Sequence, residues 1–301
     1  MRIIVLLVVL SLSWAGAAQA RLYDDVIASG VIYIGAYKNF PPYSFESEGK
    51  PQGVDIEIGR RIAEAFGLKM EVHWITPDES LEDDLRNNVW KGHYLDKDEA
   101  NPLAMKHLAD VMMRVPYDRE YAFKRDGQGL LINEQVVLFG PYQRERWQVA
   151  FDSEKLERVG TVAVFQYHPI GVEIDSLPAF YLTSAFGGRM RENTIHFFNN
   201  AEAFAAMKAG KVDAVMGMRA EVDWQIGKEQ GTRYKLAENG FPTMGKQQWD
   251  IGMAVAQSYR QLGNEVETVV DQLIRSGEVE KIYASYNLRY ELPGLYQDVA
   301  Q

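Results

Sequence analysis

Ser47-Glu48-Gly49-Lys50 has the Ser-x-x-Lys spelling of acyl-transfer enzymes. That chemistry needs the serine at a helix start with the lysine one turn on, and Gly49 and Pro51 forbid the helix. Gly127-Gln128-Gly129 lacks both a third glycine and a strand-to-helix setting, so it does not read as a dinucleotide loop. His73, His93, His107, His168 and His196 show no paired metal spacing. Asp96-Lys97-Asp98-Glu99 lacks the glycine and the closing glutamate of a calcium hand. Cysteine is absent, which removes thiol nucleophiles, thiolate metal sites and disulfides. The sequence therefore predicts no catalytic residue, no metal and no cofactor.

The 301 residues are 47% hydrophobic and 25% charged, enough for a packed core divided into two units. A formal net charge of −10 argues against a nucleic-acid partner or an anionic lipid surface. Met1-Arg2, the apolar run Ile3 to Leu10 and Ala18-Gln19-Ala20 have the layout of a signal peptide cleaved after Ala20. The run falls short of the roughly 20 apolar residues of a membrane anchor. The expected location is the periplasm, as a freely diffusing monomer.

Val31 to Gly35 alternates as a strand, which Asn39-Phe40-Pro41-Pro42 ends in a rigid loop. After the turn Gly49 to Gly53, Asp55 is expected to cap a helix carrying Ile58, Ile62 and Phe66 on one face and closed by Gly67. Met70, Val72 and Trp74 then form a second strand. This βαβ order builds a parallel sheet with a ligand crevice at the strands' carboxyl ends. Leu81, Leu85 and Val89 predict a helix, Gly92 to His107 a charged excursion, and Ala109 to Val115 a buried strand. Apolar stretches follow at Val136 to Tyr142 and Trp147 to Phe151. A strand over Val159 to Phe165 is expected to open a second lobe, which continues as a helix over Leu177 to Phe186, a helix capped at Asn199 or Asn200, and a strand over Val212 to Met218. Ile251 to Ala256 reads as a strand returning to the first lobe, followed by helices from Ser258 and Glu278. The expected division is a signal peptide at 1–20, lobe 1 at 21–145 plus 251–301, and lobe 2 at 146–250.

With these residues in place, the chain resembles the bacterial extracellular solute-binding proteins, family 3, which serve amino-acid and related ABC uptake systems. The resemblance spans nearly the whole chain after residue 20 and is strongest in Phe40-Pro41-Pro42-Tyr43-Ser44-Phe45 and Gly49-Lys50-Pro51-Gln52-Gly53-Val54-Asp55. Echoes follow at Phe139 to Tyr142, Ala209 to Val215 and Ser276 to Tyr283. It implies a type II periplasmic binding protein fold, α/β, with two lobes on a two-strand hinge, closing on a small polar solute and docking an inner-membrane permease. It also implies site residues. Tyr43, Phe40 and Phe45 match the aromatics of the stacking loop, with core packing as the other reading. Asp55 matches a helix-capping position. Arg119 matches the arginine that grips a ligand carboxylate with paired, charge-assisted hydrogen bonds; Arg114 competes for that role, and a solvated arginine is the alternative. Gln166, Tyr167 and His168 stand in for an anion-binding turn, against plain loop packing. Met218 stands where amino-acid binders place a carboxylate, which disfavours a standard α-amino acid unless Glu221 or Asp223 reaches in.

Ala109 to Pro116 also resembles a branch associated with quinoprotein alcohol dehydrogenases, so an accessory role beside such an enzyme is a second expectation. A third is a periplasmic dehydratase, because some relatives of this fold have that activity.

Overall fold

The computed structural model describes residues 23–93, 108–229, 231–238 and 240–297. The expected signal peptide and nearly all of the excursion from Gly92 to His107, including Asp96 to Glu99, lie outside them.

The strands are β1 (Val31–Tyr37), β2 (Phe45–Ser47), β3 (Lys50–Gln52), β4 (Lys69–Ile75), β5 (Val111–Pro116), β6 (Val136–Asp152), β7 (Ile170–Glu173), β8 (Thr194–Phe197), β9 (Ala214–Met218), β10 (Tyr234–Leu236) and β11 (Gln248–Ala256). The helices are α1 (Tyr23–Ser29), α2 (Val54–Ala65), α3 (Leu81–Leu85), α4 (Arg119–Ala122), α5 (Leu177–Gly188), α6 (Asn200–Lys208), α7 (Arg219–Gly227), α8 (Arg260–Arg275), α9 (Glu278–Ser285) and α10 (Gly294–Gln297).

One sheet runs through the molecule in the order β4-β1-β5-β11-β6-β9-β7-β8, with β10 added on β6 and β2-β3 forming a separate hairpin. Both flanks are parallel: β4, β1 and β5 on one side, β9, β7 and β8 on the other. The centre is antiparallel, because β6 and β11 run between the two halves. At about 3.3 Å per residue, the 17 residues of β6 reach across both. Val136 to Arg146 pairs with β11, and Trp147 to Phe151 pairs with β9. The two apolar stretches, Val136 to Tyr142 and Trp147 to Phe151, thus belong to one hinge strand.

The apolar residues gather accordingly. One core holds Ile32, Ile34, Ile58, Val111, Met253 and Val266. Another holds Val149, Phe165, Ile170, Leu182 and Met216, with a satellite around Phe204 and Val215 on the opposite sheet face. Helix α8 turns Leu262, Val266 and Val270 inward, as the apolar spacing requires, and Asn199 caps α6 by accepting from Glu202 N.

Two sequence expectations fail. Val159 to Phe165 is not a strand: Val162–Gln166 forms a 3₁₀ turn behind a Thr161 cap, and the lobe's parallel strand is β7, starting at Ile170. Five apolar residues in seven fit a buried turn as well as a strand, and Pro169 separates the turn from the strand that follows. Nor does Asp55 cap α2. Gly53 occupies the cap position with φ 117°, and Asp55 lies inside the helix, buried and turned toward β5.

Candidate functional site

The parallel strands of both lobes point their carboxyl ends at the seam between the lobes. There the chain leaves β1 into the Phe40 loop, β5 into Tyr117 and α4, β7 into Ile174 and α5, and β9 into α7. This is where open α/β sheets place ligands.

The base of the seam is a buried polar network delivered by two irregularities opposite β11. Between the pairs Met112↔Ala254 and Val115↔Gly252, β5 carries one residue more than its partner. That bulge puts Arg114 at φ 62° and re-aims its side chain. Between Phe139↔Met253 and Gln143↔Ile251, β6 carries two extra residues and brings in Tyr142 and Gln143. Arg114 Nε and Nη2 donate to the two oxygens of Asp55 at 2.7 and 3.0 Å, and Nη2 also donates to Gln143 at 3.1 Å. Tyr142 donates to Asp55 at 2.8 Å. Glu145 accepts from Tyr43, from Gln143 and from the Arg146 amide at 2.8, 2.8 and 3.0 Å. Tyr283 donates to Gln143. Burial and the neighbouring Glu145 carboxylate raise the Tyr43 phenol well above its ordinary range, so it stays a donor.

Glu221, on the first turn of α7, brings a third buried carboxyl toward this network, after Asp55 and Glu145. Burial, then Glu173 and Glu145, push it up to about 8 against the opposing pull of Arg114. The neighbouring Asp223 is gripped by Arg289 instead, at 2.7 Å. Arg219 pairs with Glu291 and donates to the Arg144 carbonyl at 2.8 Å. Ala220 belongs to the first core while Val222 belongs to the satellite of the second, so α7 ties the two lobes together.

Beside the network, a cavity of about 300 Å³ opens at the seam. Pro116, Asp118 and Tyr121 line it from the first lobe, Leu177 from the second, and Trp147 and Trp249 from the hinge strands. Lys246 stands at its edge and pairs with Asp118.

Of the residues expected to bind, Arg114 and Tyr43 meet, but as buried partners of the chain itself. Phe40, half-buried, packs on Tyr43 with ring centroids 4.9 Å apart. Phe45 packs on Trp224 across the seam at 5.9 Å. Arg119 is exposed on α4, next to Asp118. Met218 is half-buried at the cap of α7, and the carboxyl that comes toward the network is Glu221. Gln166, Tyr167 and His168 are not brought to the seam. They precede β7 at its amino end, where Tyr167 is 82% exposed and His168 Nδ1 lies 2.8 Å from Asp213, just before β9. The turn at the carboxyl end of β7 is Ile174 to Ser176, with Ser176 capping α5. The error in the starting strand moved the expected turn to the wrong edge of the sheet.

Sequence reading missed Gln143, Glu145, Trp147 and Trp249. Their signal was present: Gln143, Glu145 and Trp147 alternate on β6, which puts them on one face.

The α/β architecture with two lobes on a two-strand hinge is that of the type II periplasmic binding proteins. Residues 32–90 match the family of bacterial extracellular solute-binding proteins, family 3, over the same segment that carries the resemblance in sequence. Among solved structures, the chain is similar to an ancestral cationic amino acid solute binding protein at 16% identity and a TM-score of 0.63, covering 87% of this chain and 98% of that one. An amino acid ABC transporter substrate-binding protein from Streptococcus pneumoniae, bound to L-arginine, is similar at 16% identity and a TM-score of 0.60, covering 89% and 98%. An ancestral amino-acid-binding protein described as a precursor of cyclohexadienyl dehydratase is similar at 15% identity and a TM-score of 0.56, covering 87% and 97%. No curated protein matches the chain.

Proposed function

We propose that the chain is a periplasmic solute-binding protein that captures a small polar molecule between its lobes, 21–145 with 251–301 and 146–250, and delivers it to an ABC transporter. The observation that carries this reading is the seam cavity, whose walls come from both lobes and whose floor is the hinge. A solute there touches α4, α5 and both hinge strands, so it favours the closed arrangement and must raise stability with its concentration. The similar structure described as an amino acid ABC transporter substrate-binding protein supports the transport role, and the ancestral solute binding protein supports solute capture. The reading of the first residues as a cleaved signal agrees with the extracellular family matched by residues 32–90. The accessory role beside a quinoprotein dehydrogenase rests on a short sequence likeness and on the excursion outside the described residues. The dehydratase reading has the cyclohexadienyl dehydratase precursor on its side, and Glu221 as a buried protonated acid beside the Glu173 and Glu145 carboxylates.

The test is a thermal-shift screen of the purified chain against amino acids, organic acids, alcohols and polyamines, with X-ray scattering on any hit. A concentration-dependent rise in Tm is expected. A screen with no shift and no change in scattering overturns the reading.

A further inference from the structure

The seam cavity differs in character from the network beside it, and the contrast identifies the solute. Trp147 and Trp249 sit diagonally across the β6-β11 ladder with ring centroids 4.8 Å apart and planes tilted by 50°. The indole N–H of Trp147 donates to the Lys246 carbonyl at 3.0 Å, so its polar edge is satisfied and its ring is held in place. Leu177, Pro116 and Tyr121 add apolar wall. The charged groups at the rim are already matched. Asp118 accepts from the Glu120 and Tyr121 amides at 2.7 and 3.3 Å and pairs with Lys246. The helices that supply Leu177 and Tyr121 also carry exposed aromatics: Phe180, one turn beyond Leu177 on α5, is 59% exposed, and Phe123, at the end of α4, is 61% exposed. Of the groups in the network that could hold a guanidinium, Asp55 and the Tyr43 face are both taken by Arg114.

We infer that this cavity takes a flat, apolar ring of the solute, so that the captured molecule is a small aromatic compound rather than a cationic amino acid such as arginine. The inference rests on the proposed solute-binding role. A ring laid against Trp147 and Trp249 gains burial of about 25 cal/mol per Å² and offset stacking. A guanidinium or ammonium placed there would have the indole faces but no unpaired carboxylate among the lining residues, so its loss of hydration is only partly offset. The volume suits one or two fused rings, at the small end of ligand cavities. The polar end of the solute lies toward the rim, beside Lys246 and Asp118.

The test uses the full chain with phenylacetate, phenethylamine, L-phenylalanine and L-arginine, read by tryptophan fluorescence titration and by Tm. At least one aromatic probe is expected to bind and to change tryptophan emission, and arginine is expected not to bind. The comparison of phenylacetate with phenethylamine reports the charge of the preferred head group. Trp249→Ala and, independently, the surface substitution Leu177→Asn are expected to weaken the aromatic probe tenfold or more; Leu177 is 41% exposed, so that variant keeps the fold. Arginine binding without the aromatics, or aromatic binding unchanged in both variants, overturns the inference and leaves solute capture standing. Silence from these probes and from the whole wider screen overturns both.

Discussion

Arg114 lays its guanidinium over the ring of Tyr43, 3.3 Å from Cζ to the centroid, while the same guanidinium grips Asp55. The chain thus supplies its own cation to the aromatic loop. Holding an arginine at φ 62° costs on the order of 1 kcal/mol, which the buried pair and the cation-π contact offset. Arg114→Met leaves Asp55 buried without a counter-charge, and a loss of about 3–5 kcal/mol is expected in urea unfolding. Asp55→Asn made together with Arg114→Met should recover a large share of that loss, because both charges leave together. A double variant no better than the single one would show that the pair is not the source of the stability.

Glu221 titrates inside the closed seam. Its acidity is weakened to about 8 by burial, Glu173 and Glu145, whereas the unfolded chain returns it to the ordinary carboxylate range. The folded state therefore binds the extra proton between those limits. Its stabilising effect is complete below the unfolded value and fades as pH rises toward about 8, by on the order of 1 kcal/mol per pH unit. Glu221→Gln should flatten this segment of the stability–pH curve and leave the variant more stable than the parent above pH 8. Parallel curves for the two proteins would rule the assignment out.

Helix α7 holds the lobes together through Asp223–Arg289 and Arg219–Glu291. Asp223 is buried while the Arg289 side chain is about half exposed. Screening makes the pair modest, and Arg289→Gln should cost only about 1 kcal/mol of stability. Its larger effect falls on geometry, because the pair joins α7 to the segment after α9. The expected outcome is a larger radius of gyration in solution for Arg289→Gln combined with Glu291→Gln. An unchanged scattering profile would mean that core contacts around Ala220 and Trp224 close the seam without these pairs.

The order of elements was legible because it depends on local periodicity. The α8 stripe, a cap at Asn199 or Asn200 and a strand expected at 109–115 and found at 111–116 each follow from spacing within one element. The site was less legible because its contacts are long-range. Arg114 meets Asp55 through a bulge that depends on how β5 registers with β11, and no pattern inside Val111 to Pro116 reports that register. Trp147 and Trp249 are a hundred residues apart in sequence and meet only through antiparallel pairing. Gln166 to His168 were misplaced for a different reason: a short apolar run does not say whether it is a strand, and the choice decides which edge of the sheet the next turn occupies.

Gly53 joins the aromatic loop to α2. It sits at φ 117°, and a Cβ there would be driven into the Tyr43 carbonyl, while its amide donates to the Tyr286 hydroxyl at 2.9 Å. Gly49, four residues earlier, also has positive φ, 72°, but open space around it. Gly49→Ala should therefore cost only the left-handed backbone penalty, about 1–2 kcal/mol. Gly53→Ala adds displacement of Tyr43, which would break its contact with Glu145 and with the Arg114 guanidinium. It is expected to lower Tm well beyond the Gly49 variant and to change near-ultraviolet circular dichroism from the tyrosines. Equal losses in the two variants would mean that the Gly53 contact with Tyr43 does not anchor the loop.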